Sequence, residues 1–405
     1  MAHPSEGSLP DNRELKFASY LGMFNSGLLN SAVGPLLIEL TGFYELNVAR
    51  VGLPVLLDGT GYLLGTIILS FVWKVHRARL VLSLSTLSLV FLLVSIGPFH
   101  SRFEVFLGLM FFLGSGFGFL TVGLDSLFSE IYRQNRAKYL NILHLFFGVG
   151  SFLGPLAVVA ILKATGKWFY FYPLIGLLNI PMLPLLLRRK NYPFGLDLEG
   201  GETDGRHEGI RNLMGSAAFW AIIAAMFLHL GMEASFGAWM PLFLKSTRNM
   251  TPTLASYCVS IFWLAFLLGR ASYARLFPDV NLFLSLIVAI SGAALFMCLT
   301  FLSRDTALIF SSTFCAGLLL SIVYPNFLAL GAGIFPNRIG FITGTLSASG
   351  GVGYMFFPWL IGPVSQSLGL AKGVFMIPLL GTASIGILLL LRSHKKGGAT
   401  TTPPS

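Results

Sequence analysis

The chain is poor in charge. Only 11% of its 405 residues are Asp, Glu, Lys or Arg, against about 25% in a soluble domain, and 55% are hydrophobic. A chain so composed cannot cover a soluble surface of its own size with polar groups. Cysteine is scarce as well. Cys258, Cys298 and Cys315 each fall in an apolar run, and no CxxC or Cys/His cluster exists, which excludes a disulfide framework and a structural metal site. GxxxxGK[ST], GxSxG and HExxH are all missing. A nucleotide engine, an esterase-type nucleophile and a zinc protease lose their carriers with them. No cofactor is expected. The opening residues MAHPSEGSLPDNRELK have none of the parts of a signal peptide, so the first span is expected to serve as its own insertion signal. Strict apolar/polar alternation, which a membrane barrel needs, is absent too.

What is present is length of apolar run. Continuous apolar stretches of about 20 residues, enough to cross a core of about 30 Å, recur from end to end. Twelve helical spans are expected at 15–40, 48–72, 80–98, 103–127, 139–163, 168–187, 215–242, 253–276, 281–301, 306–331, 338–364 and 371–392. The fold class is therefore all-α and membrane-embedded. With both termini cytoplasmic, 18 Lys and Arg fall in cytoplasmic segments and 8 outside, with Arg270 inside a span. That excess is what orientation by positive charge requires, and it explains the net charge of +10 without nucleic acid, for which no basic stripe with interleaved aromatics exists. The domain plan is a cytoplasmic tail (1–14), a six-helix bundle (15–187), a charged, Gly-rich linker (188–214), a second six-helix bundle (215–392) and a disordered tail (393–405). The expected setting is the plasma membrane, as a monomer in the lipid bilayer.

The two halves repeat at an offset of 203. GVGSFLGP at 148–155 falls on GVGYMFFP at 351–358, Met23-Phe24 on Met226-Phe227, Gly34 on Gly237 and Gly114 on Gly317. One gapless offset serves three pairs of helices. Parallel six-span repeats around a midplane site are a transporter architecture, so two pseudo-symmetric bundles are expected.

Within this apolar background each polar residue asks for a reason. Glu233 stands in MFLHLGMEASFGAWMPLFL, four residues after His229 and on the same helix face. An acid at a helix centre costs about 2.5–3.5 kcal/mol on insertion scales, a cost that a water-filled cavity or protonation removes. Glu233, with His229, is expected to carry an ion or proton, the alternative being a structural hydrogen bond to a neighbouring helix. Asp58, about 15 Å into the second span at 1.5 Å per residue, is a second candidate acid. The offset places Asn30 on Glu233, so helices 1 and 7 are expected to line one cavity. Asn141 and His144 share a face of helix 5, with Ser347 near their counterpart on helix 11, and Tyr324 and Asn326 flank Pro325 on helix 10. Groups that both donate and accept hydrogen bonds suit a polar solute; Asn30, Asn141, His144, Tyr324, Asn326 and Ser347 are the substrate candidates, and helix packing is the other reading of each. Asp125, Glu130, Arg133 and Arg136, with Arg270 and Arg338, are expected to form a cytoplasmic gate, unless they are a plain solvated cluster.

These features resemble the major facilitator superfamily. The loop GTIILSFVWKVHRAR at 65–79 stands where that superfamily's first signature lies, without its aspartate. LNILHLFFGVGSFLGP (140–155), GMEASFGAW (231–239), FWLAFLLGR (262–270) and IVYPNFLALGAGIFP (322–336) are similar to the sugar-transporting branch of the fucose permeases and the sodium-glucose transporter relatives. The resemblance implies a sugar-like solute. Fucose permeases place acids on helices 1 and 4; here helix 1 offers Asn25 and Asn30, so any proton falls to Glu233 or Asp58. The expectation is a secondary transporter moving a small polar solute by alternating access with a proton or cation gradient. A uniporter or proton-antiport exporter of amphipathic compounds, a non-transporting sensor and an intramembrane enzyme are the alternatives, the last lacking a reactive constellation.

Overall fold

A computed structural model describes residues 13–132, 135–188, 192, 213–276 and 281–398. Twelve long helices, two of them broken, account for nearly all of it: α1 Arg13–Phe43, α2 Leu53–Val72, α3 Ala78–Phe99, α4 Phe103–Ile131, α5 Arg136–Thr165, α6 Phe171–Asn179 resuming at Met182–Leu187, α7 Ala217–Arg248, α8 Pro252–Leu276, α9 Leu282–Leu302, α10 Thr306–Leu320 resuming at Val323–Ile334, α11 Ile339–Leu368 and α12 Met376–Gly398. Most of the linker expected at 188–214 lies outside the described residues. The last helix continues to Gly398, beyond the expected end at 392.

Local chemistry sets the ends. Gly166, at φ +68°, closes α5 in the left-handed conformation that a side chain resists. Asn281 and Asp305 cap α9 and α10 by accepting from the amides of Leu284 and Leu308. The break in α6 comes beside Pro181, and α10 breaks at Ser321-Ile322, just before Pro325. Eleven of the helical segments are long and apolar enough to cross a bilayer. The exception, α11, fails on composition: it has 30 residues, but glycine, serine and threonine dominate its first half.

The helices pack in the same pairs in each half: α1 on α5 and α2 on α4, then α7 on α11 and α8 on α10. The first pairing rests on backbones brought together at glycine. A Cβ on Gly150 would strike the carbonyl of Phe24, and one on Gly353 would strike that of Phe227; the second contact is the first carried 203 residues on. Across the halves, α5 meets α8, α2 meets α11 and α1 meets α7.

The face bearing both ends of the described chain is here the terminal face, the opposite one the far face. The closest cross-half approaches are toward the far face. Gly34 of α1 lies against the Gly237 carbonyl and the Pro241 ring of α7, Gly52 lies against Trp359, and Gly362 against the carbonyls of Val48 and Ala49. An aromatic cluster fills the far end of the first half, with Trp168 beside Phe43, Tyr44, His100 and Phe106. The Tyr44 hydroxyl donates to the His100 carbonyl, and burial, with Glu104 nearby, pushes its phenol above the ordinary value.

Candidate functional site

The buried polar groups begin on α7. The sequence puts His229 and Glu233 one turn apart, and the helix holds His229 Nε2 3.7 Å from Glu233 Oε2. His229 is fully buried and Glu233 6% exposed. The imidazole lies over Phe327 of α10, its ring 5.7 Å away. Neither imidazole nitrogen and only one of the two carboxylate oxygens escapes the set of buried atoms without a hydrogen-bond partner. Arg270 of α8 and Tyr354 of α11 are within electrostatic reach of the Glu233 carboxyl.

Tyr354 carries this group to the other half. Its hydroxyl donates to Asn30 Oδ1 of α1 at 2.9 Å, a side-chain hydrogen bond between the first half and the second. A second cross-half contact follows along α11, where Thr60 Oγ1 of α2 lies 3.8 Å from Met355 Sδ. Asp58, on the same face of α2 as Tyr62, is partly accessible and has no hydrogen bond or ion pair among the described residues. The span runs from Val48 to Val72 as expected, broken only at Gly52, so Asp58 lies about 15 Å into it.

Tyr324, on the resumed part of α10, shares a hydrogen bond of 2.8 Å with Ser347 of α11. The Tyr324 hydroxyl is within electrostatic reach of Asp125 of the first half and of Arg270 and Glu233 of the second. Tyr62 shares a hydrogen bond of 3.1 Å with Thr121 and lies within reach of Asp125, Tyr324 and Asp58.

Toward the terminal face a cavity opens within the first half. Polar and of about 660 Å³, it is lined by Trp73, Asp125, Ser126, Ser129, Glu130, Arg136, Leu140 and His144. His144 Nε2 of α5 approaches Asp125 Oδ1 of α4 to 3.3 Å, both side chains partly exposed, and the Trp73 indole donates to Glu130 at 3.2 Å. Neither Asp125 nor Glu130 pairs with Arg136 or Arg270 among the described residues. Of the six residues of the expected gate, Asp125, Glu130 and Arg136 line this cavity, Arg133 lies outside the described residues, Arg338 sits in the turn before α11, and Arg270 reaches the Ser321 carbonyl of α10.

Of the substrate candidates, Asn30, Tyr324 and Ser347 are drawn into the interior network, while Asn141 is exposed on α5. Asn326 turns the other way: its amide nitrogen donates to the Tyr273 and Ser285 hydroxyls, both at 3.0 Å, and ties α10 to α8 and α9. Sequence reasoning passed over Tyr62 and Tyr354. For Tyr354 a signal existed, its place three residues after Gly351 in the repeated GVG segment.

Comparison with known proteins bears on the fold and the family. A protein TsgA homolog of Yersinia pseudotuberculosis is 23% identical over 395 residues, covering 94% of this chain and 97% of its own; one of Yersinia pestis is 22% identical with the same coverage. The crystal structure of a bacterial homolog of the human lysosomal transporter Spinster, inward-facing and unoccupied, superposes with a TM-score of 0.73 at 14% identity, over 95% of this chain and 98% of that one. Its occupied form gives 0.68 at 14% identity, over 94% and 96%. The Major Facilitator Superfamily profile matches residues 19–358, and the chain is a member of that superfamily, an integral membrane transporter rather than an enzyme.

Proposed function

We propose that the chain is a secondary transporter in which two pseudo-symmetric six-helix bundles rock about a central cavity, and that Glu233 is the group whose protonation is linked to that motion. The observation that carries this reading is the hydrogen bond from Tyr354 to Asn30. It joins the halves beside the Glu233 carboxyl, so a change of charge there acts on a contact that alternating access must break. Reach to Arg270 and contact with His229 give the carboxyl two partners whose field depends on helix position. Asp58, unpaired and partly open, is the second proton-binding candidate.

The solute is small and polar. Tyr324, Ser347, Asn30 and Asn141 supply donors and acceptors, His144 with Asp125 lies at the entrance, and the motifs similar to the fucose permease branch favour a sugar-like molecule. The terminal face is the cytoplasmic one, by the excess of Lys and Arg there, so the open cavity faces inward; the protein works as a monomer in the plasma membrane. The Spinster homolog, whose fold it shares, is described as inward-facing. Asp125, Glu130, Arg136 and Arg338 close the cytoplasmic side when the halves rock the other way.

The test is transport in proteoliposomes with a solute found by thermal-shift screening. Glu233→Gln removes uptake driven by a pH gradient and keeps part of the counterflow exchange. Full gradient-driven uptake by the variant removes Glu233 from coupling, and pH-independent accumulation by the parent chain favours a uniporter.

A further inference from the structure

Arg270 is not accounted for by a gate. It lies about 9 Å inside the terminal-face end of α8, yet its side chain is exposed. The guanidinium is held from one edge. Its Nε donates to the Ser321 carbonyl at 3.4 Å, at the break in α10, where the helix ladder is interrupted. Its plane lies 4.9 Å from the Phe266 ring centroid. The two terminal nitrogens, the edge that matches a carboxylate with two parallel N–H groups, have no hydrogen-bond partner among the described residues. No carboxylate of the described residues comes within ion-pair distance; Glu233, within electrostatic reach, contacts His229 instead.

A guanidinium is costly to place in a span, and here its fork is oriented but unfilled. Tyr324, hydrogen-bonded to Ser347, is within electrostatic reach of the guanidinium, as is Glu233, which in turn is within reach of Tyr354 and its partner Asn30. We propose that Arg270 is the recognition residue for an anionic group on the transported solute, and that the solute is a small polyhydroxylated carboxylate, its acid on the Arg270 fork and its hydroxyls on Tyr324, Ser347 and the Asn30–Tyr354 pair. This rests on the reading of the chain as a transporter of a small polar solute and narrows its class from neutral sugar to sugar acid.

Matched pairs isolate the carboxylate. The purified full-length chain is unfolded thermally with D-glucuronate against D-glucose and with D-gluconate against D-glucitol, alongside Arg270→Gln and Arg270→Lys. At least one acid is expected to raise the parent Tm while its neutral partner does not. Arg270→Gln weakens that acid by about tenfold or more, roughly 1.4 kcal/mol, and Arg270→Lys, which keeps the charge and loses the fork, restores part of it. A folded Lys variant keeps the test decisive if the Gln variant does not fold. The inference is overturned if the neutral partners bind as well as the acids, if Arg270→Gln and Arg270→Lys both bind the acid like the parent, or if no acid of either pair binds. Binding of a neutral sugar alone leaves the transport reading standing. An acid that binds through Arg270 but does not exchange across proteoliposomes supports the recognition site and overturns transport.

Discussion

Each half of the molecule holds one imidazole beside one carboxylate, and the two pairs are built differently. Asp125 and His144 sit on two helices, partly exposed, 3.3 Å apart at the mouth of a polar cavity. His229 and Glu233 sit on one helix, buried, 3.7 Å apart. A pair that bridges helices senses their separation, and water screens it, so its contribution to stability is small. A pair fixed by one helical turn cannot sense that separation. Its surroundings change instead, as α8 and α11 move against it. Under the proposed mechanism the first pair serves access and the second the energetics of turnover.

The largest contrast is expected in transport. Glu233→Gln lowers gradient-driven uptake to that of protein-free liposomes, while Asp125→Asn retains a substantial part of it; equal losses would dissolve the distinction between the pairs. Next comes accessibility. On a background free of Cys258, Cys298 and Cys315, His144→Cys reacts readily with a charged thiol reagent applied at the terminal face and His229→Cys does not. Rapid labelling of position 229 would show that water already reaches the buried pair. Stability gives smaller numbers. His229→Ala removes a buried ring packed on Phe327 and costs about 2–3 kcal/mol, read as a lower Tm in detergent. Asn326→Ala, which loses hydrogen bonds to Tyr273 and Ser285, costs about 0.6–2 kcal/mol. For His144→Ala less than about 1 kcal/mol is expected, as for exposed pairs generally.

Much of the fold is readable in the sequence because lipid makes a simple demand: about 20 apolar residues per crossing, with every backbone group satisfied within the helix. The repeat was readable for an equally simple reason. Gly150 and Gly353 serve the same backbone approach in each half, and no other residue fits there. The site was less legible, because it depends on which way a side chain turns. Tyr324 and Asn326 look equivalent on either side of Pro325, yet residues two apart on a helix do not share a face; one enters the interior network and the other binds α8 and α9. The meeting of Asp125 with His144 depends on the register of α4 against α5, which no local pattern encodes. Tyr354 reads as one more aromatic in an apolar run until α1 is laid beside α11. Arg270 was visible as a basic residue in a span, but only the broken α10 shows that its Nε edge is anchored and its fork left over.

The glycine-rich first half of α11 bears on how the protein is made. Small residues let a helix lie directly on the backbone of its neighbour, and α7, docked along α11, is the neighbour it meets. Because α7 precedes α11 in the chain, the ribosome delivers the receiving surface before the helix that seats on it.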